Sequence, residues 1–142
     1  MSRLVQQRGR LARVRRIQHN LAATAAARAA GEVSKLEASA TRLAALRDGL
    51  VAGQGRCSGA TLASIGELAG RLDQAREGLG RTLTGARTIA AHRETQRLAA
   101  RREQESAERL EQRASTTADR LAERKAQGRF RLRTRPDSGE PA

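Results

Sequence analysis

Four glutamates at 103, 105, 108 and 111 are the densest group of side chains able to move protons. General acid–base work by a carboxylate needs an apolar pocket that lifts its pKa toward neutrality. Here the neighbours are Arg101, Arg102, Gln104, Ser106 and Arg109, so the four read as a solvated helix face. His19 and His92 sit at numbers symmetric about a glycine cluster near residue 56, which would bring them to similar height if the chain folds back there. Zinc would need further ligands, and Cys57, the single cysteine, is far from both. They read as two exposed helix histidines. Cys57 has no histidine nearby in sequence to activate it, reads as an incidental thiol, and cannot form an intrachain disulfide, which fits a reducing cytosol. The cluster itself, Gly53-Gln-Gly-Arg-Cys-Ser-Gly59, resembles a phosphate-cradling loop only superficially, since that motif requires a preceding strand and a lysine followed by Ser or Thr. No catalytic residue, no metal site and no cofactor is expected, and the chain does not read as an enzyme.

The remaining chemistry is cationic. Twenty-eight basic residues against fifteen acidic ones leave a formal charge of +13, carried almost wholly by arginine, because Lys35 and Lys125 are the only lysines. Residues 1–28 hold seven arginines and no acid. Such a surface attracts nucleic acid, an anionic membrane or an acidic protein face without choosing among them. Nucleic acid is the less favoured partner: Phe130 is the only aromatic available for stacking, the arginines after residue 92 are interleaved with glutamates, and no recognised binding module appears. It stays open on charge alone. The first 30 residues also have the arginine-rich, acid-poor composition of a mitochondrial transit peptide, a reading set aside because their pattern runs on unbroken.

Helices must position these side chains. Alanine, leucine, arginine, glutamate and glutamine dominate, and the two prolines wait until 136 and 141. From Leu11 the larger apolar residues fall at Val14, Ile17, Leu21, Val33, Leu36, Leu43, Leu46 and Leu50, with Ala25, Ala29 and Ala40 between them. Steps of three, four and seven mark one helical face. This stripe is expected to form the seam, and Arg47 is expected in a last turn before Gly53. The glycine cluster predicts the turn, with Ser58 or Thr61 as the next cap. A second run reads Leu62, Ile65, Leu68 or Ala69, Leu72, Ala75, Leu79, Leu83, Ala86, and Ile89 or Ala90. It then thins to Leu98, Leu110, Ala114 and Leu121 with a shift of phase. Glycines at 66, 70, 78, 80 and 85 predict local softness, which is favoured over the close helix contact that the four-residue spacing of 66 and 70 would allow, and Gly128 predicts the helix end.

The fold class expected is all-α, an antiparallel two-helix coiled-coil hairpin over residues 1–127 with a disordered C-terminal tail. Helix one covers about 3–52, the turn 53–59, helix two about 60–127, and 128–142 form a basic tail. Folding about residues 55–56 would set 1–28 beside roughly 82–110, give a paired length of about 70–80 Å, leave an overhang of about five turns and gather the charge at the end opposite the turn. Glu94, Glu103, Glu105 and Glu108 would then lie near the arginines of helix one, most of them as solvated charges. No stretch approaches the roughly 18 apolar residues of a membrane span, and the opening residues lack the apolar region of a secretory signal. A cytoplasmic protein is expected.

Three stretches carry a family resemblance: Leu11-Ala-Arg-Val-Arg-Arg-Ile-Gln-His-Asn-Leu-Ala, Glu67-Leu-Ala-Gly-Arg-Leu-Asp-Gln-Ala-Arg, and Arg101-Arg-Glu-Gln-Glu-Ser-Ala-Glu-Arg-Leu-Glu-Gln-Arg-Ala. They resemble the corresponding parts of the FliJ family, the coiled-coil stalk of the flagellar type III export apparatus, in its divergent alphaproteobacterial form. The resemblance covers roughly residues 3–127. It implies partners: the hexameric export ATPase, whose ring the end bearing both termini enters, the export gate protein, and export chaperones that the stalk escorts. It also implies peripheral association with the inner face of the cell membrane. The positions here that match the ring-entering end are Arg8, Arg10, Arg13, Arg15 and Arg16 on helix one and Arg101, Arg102, Arg109 and Arg113 on helix two.

Overall fold

The structure, a computed structural model, describes residues 2–52 and 58–133. It is all-α: α1 runs over Arg3–Ala52 and α2 over Gly59–Arg133, and no strand occurs among the described residues. Both helices begin on a serine cap, which satisfies an amide that would otherwise lack an intrahelical partner. The Val5 amide donates to Ser2 Oγ at 3.3 Å, and the Thr61 amide donates to Ser58 Oγ at 3.3 Å. Of the two caps considered for α2, Ser58 is therefore the one used. Of the expected turn at 53–59, residues 53–57 lie outside the described residues, and Gly59 already belongs to α2.

The chain divides into two compact units. The first combines Met1–His19 with Ala99–Ala142, and the second is Asn20–Leu98. In each, a part of α1 packs antiparallel against a part of α2. In the first unit Arg15 meets Glu103, and a Cβ built on Gly9 would meet Glu111. In the second, Arg47 meets Asp73 and Glu37 meets Arg87. Partners thus have numbers that add to about 120, which puts the centre of the fold-back near residue 60 and not at 55–56. The reason lies in where α2 starts. It begins inside the glycine cluster, so residues 59–67 have no register partner in α1, and Leu62 there is 48% exposed. With this register residues 2–19 of the first unit face the neighbourhood of 101–118.

Sequence pattern and packing part company at the seam. Among the described residues the buried ones are Ala12, Ala26, Ala69 and Ala107, and no large side chain is fully buried. In α1 of the first unit the less exposed positions are Val5, Arg8, Ala12, Arg15 and His19; in the second the row runs on through Ala22, Ala26, Ala29, Val33, Leu36, Ala40, Leu43, Arg47 and Leu50. That is an unbroken three–four repeat, the signature of knobs-into-holes contact. Leu11, Val14, Ile17 and Leu21, the expected stripe, lie on the outer side, and Leu46 is exposed as well. In α2 the choice at 68 or 69 and at 89 or 90 falls on alanine both times, and Ala75 is exposed. After residue 90 no phase shift occurs: the repeat continues through Arg97, Ala100, Gln104, Ala107, Glu111, Ala114 and Ala118. Leu98, Leu110 and Leu121 stand off it, exposed. A search for large apolar residues misses such a row because alanine and the stems of arginine and glutamine compose it.

Glycine interrupts neither helix. No described glycine has a positive φ, and α2 passes through 66, 70, 78, 80 and 85. A Cβ at Gly66 or Gly70 would meet nothing within 4 Å, so neither serves a close helix contact. Thr82 and Thr84 donate to the carbonyls of Gly78 and Gly80 at 3.1 and 3.0 Å. Gly128, expected as the stop, lies inside the helix, which continues to Arg133. A single glycine costs about 1 kcal/mol against alanine, too little to end a helix whose next residues are good formers and whose final turn carries Arg131 and Arg133 where the dipole favours cations. The expected tail therefore begins no earlier than residue 134, outside the described residues. Arg47 is likewise not in the last turn of α1 but in the seam, bonded to Asp73 at 3.2 Å.

The alanine seam makes a counterintuitive stability pattern. Ala107→Leu inserts bulk into a close contact and should destabilise the fold by about 1–3 kcal/mol. Leu11→Ala, which removes bulk from an exposed side chain, should change it by no more than about 0.5 kcal/mol. Thermal melts followed by circular dichroism check both, and a larger loss for Leu11→Ala than for Ala107→Leu would reverse the seam assignment.

Candidate functional site

The first unit concentrates the cations. Its described residues, 2–19 and 99–133, hold sixteen basic and six acidic side chains, a net +10 out of the chain's +13. The six arginines contributed by α1 have no acid on their own segment, so any neutralisation within the unit comes from α2. Two cross-helix pairs supply it. Arg15 Nη1 donates to Glu103 Oε2 at 2.6 Å, and Arg16 Nη2 donates to Glu108 Oε1 at 3.0 Å. Gln104 also donates to Glu108 Oε1 at 3.0 Å, and this bond, followed by the one from Arg16, holds the Glu108 carboxyl below its usual pKa. Glu105 turns to Arg101 on its own helix at 3.1 Å. In the second unit Glu94 is held by Arg97 and its pKa is lowered by that hydrogen bond. Of the four glutamates expected near helix one, Glu103 and Glu108 reach it and Glu94 and Glu105 pair within α2.

The nine sequence-derived positions thus split by availability. Arg15, Arg16 and Arg101 are engaged in ion pairs. Arg8, Arg10, Arg13, Arg102, Arg109 and Arg113 form no ion pair among the described residues. Arg8 is half-buried at the seam edge, and the other five are exposed. Four of them, Arg10, Arg13, Arg109 and Arg113, line two open grooves, and Arg8 and Arg102 line neither. One is lined by Arg10, Arg13 and Arg16 with Gly9 and Glu111, the other by Arg109, Arg113 and Arg120 with Gln112, Thr116 and Thr117. Arg120, not singled out from the sequence, joins the second groove because it follows Arg113 by seven residues, two full helical turns on the same face. Exposed guanidinium groups in this arrangement bind carboxylates or phosphates through paired N–H donors.

Among the described residues no group of three or more His, Cys, Asp and Glu side chains is placed to hold a metal ion, and no helix is long and apolar enough to cross a membrane. The chain matches no protein-family model, no curated protein and no solved structure.

One seam residue is polar without a partner. His19 lies in the three–four row, half-buried, and its Nε2 is buried with no hydrogen-bond partner among the described residues. A buried nitrogen left unpaired forfeits its hydration, and an apolar side chain of similar volume removes that cost. His19→Leu should stabilise the fold by about 1 kcal/mol in denaturant titration. An equal loss would mean that His19 has a partner in solution.

Proposed function

We propose that the chain is a non-enzymatic accessory of flagellar type III protein export, binding the hexameric export ATPase through its arginine-rich first unit and assisting delivery of chaperones and their substrates. Three features support the reading. The residue stretches beginning at Leu11, Glu67 and Arg101 resemble the FliJ family. The two helices are antiparallel and their paired segments are slender, with alanine at the contact. The net +10 of the first unit carries the proposal: a surface of free arginines on both helices is suited to an acid-lined channel, and opposite charge speeds such an encounter more than it fixes its geometry. The gate protein and export chaperones follow as further partners, with peripheral membrane association through the apparatus and residence in the cytoplasm.

Nucleic acid is the second reading, because the Arg109–Arg113–Arg120 groove suits a phosphate backbone as well as carboxylates.

A pull-down with the purified export ATPase tests the first reading. Wild-type chain should be retained at low salt and released as salt rises, and Arg10→Glu with Arg13→Glu, Arg109→Glu and Arg113→Glu should reduce retention about tenfold or more while leaving helicity intact. No retention at low salt, or tighter binding to random duplex DNA than to the ATPase, would reject it.

A further inference from the structure

In the first unit the large apolar residues that α1 leaves exposed form a second row. Leu4, Leu11 and Val14 stand one position N-terminal to the seam residues Val5, Ala12 and Arg15, and Ile17 flanks them. They are 53%, 37%, 49% and 60% exposed. Steps of seven and three keep Leu4, Leu11 and Val14 on one side of the helix, so the row has the spacing by which one helix receives another. An isolated pair of helices gains nothing from branched side chains held in water, and Leu4, Leu11 and Val14, with the polar Gln7 among them, have the character of a helix-contact surface and not of a bare apolar face.

The charges around the row select its occupant. At 100° per residue Arg3 and Arg10 project between Ile17 and Val14, and Arg13 lies just beyond Ile17. None of the three makes an ion pair among the described residues. A second copy meeting this face through its own would set three arginines against three, with no acid on either segment. A lipid bilayer requires a continuous apolar face, which Arg3 and Arg10 interrupt. A single helix with its own three–four apolar row, flanked by Asp or Glu, meets both conditions: its apolar residues pack along Leu4, Leu11 and Val14, and its carboxylates take the unpaired guanidinium groups. We propose that the outer face of α1 from Leu4 to Ile17 docks an acidic amphipathic helix of a partner protein. The proposal needs only this face and does not rest on the export ATPase.

The test uses the full chain and a labelled synthetic peptide of about four heptads, with leucine at the a and d positions and glutamate at e and g, read by fluorescence anisotropy. A peptide with lysine in place of each glutamate and vesicles of mixed phosphatidylglycerol and phosphatidylcholine are the other arms. The glutamate peptide should bind about tenfold or more tightly than the lysine peptide. Leu11→Ser with Val14→Ser, and separately Arg10→Glu with Arg13→Glu, should each weaken it about tenfold or more, with helicity unchanged because all four side chains are exposed. Equal binding of the two peptides, or no binding of either, overturns the proposal. Full affinity in Leu11→Ser/Val14→Ser would reduce the face to charge attraction and overturns it too. Vesicle binding that exceeds peptide binding and is lost in that double variant would assign the face to a lipid surface. Retention of that variant by the export ATPase separates this result from the fate of the export reading.

Discussion

Contact through alanine is the constraint from which the other features follow. Helices that meet over alanine approach toward the short end of the usual interaxial range of about 8–10 Å. At such a contact a leucine or isoleucine does not fit, and the small side chains of Ala12, Ala26, Ala69 and Ala107 are the ones that close against the opposite helix. Each alanine buries little area, so no single contact dominates and stability accumulates along the repeat. In the first unit Leu4, Leu11, Val14 and Ile17 are left to the outside, where they are free to serve contacts beyond the chain.

Charge acts at the edges of this seam. Arg16 with Glu108 and Glu37 with Arg87 join positions that flank the row, the places where antiparallel helices exchange ion pairs, and Arg47, within the row, reaches Asp73. Exposed pairs contribute no more than about 1 kcal/mol each, but a register shift of one heptad would break every one of them together. They select the register more than they strengthen it. Arg15 and Arg16 pair with Glu103 and Glu108, while Arg3, Arg10 and Arg13 make no ion pair among the described residues.

Helix content, the antiparallel order and a cap at Ser58 or Thr61 were legible from composition, periodicity and the breaker cluster, and the structure selects Ser58. The half-buried face of Val33, Leu36, Leu43 and Leu50 was legible too, because there the large apolar residues and the seam coincide. Between Leu4 and Leu21 they do not. Two rows one residue apart share the same spacing, and periodicity alone favours the bulkier one, although close approach selects the alanines. The absence of leucine from the seam after residue 90 likewise made a continuous repeat look like a phase shift. Gly128 misled for another reason: glycine ends a helix when it takes a left-handed conformation, and here it does not. The nine arginines were legible as a region, but their division into paired and unpaired groups was not, because it depends on which glutamates the register brings across.

If close alanine contact sets the register, the functional surfaces are fixed by it: the unpaired arginines and the apolar row of α1 are what remains after the seam is satisfied. Disulfide trapping measures this directly in the chain with Cys57→Ser. Ala100 and Ala107 both lie in the α2 row, one heptad apart, so they present the same face at different heights. Cysteines at 12 and 107 should form an intramolecular disulfide readily under mild oxidation, and cysteines at 12 and 100 should not. Faster trapping of 12 with 100 would place the fold-back near residue 56 and contradict the alanine register.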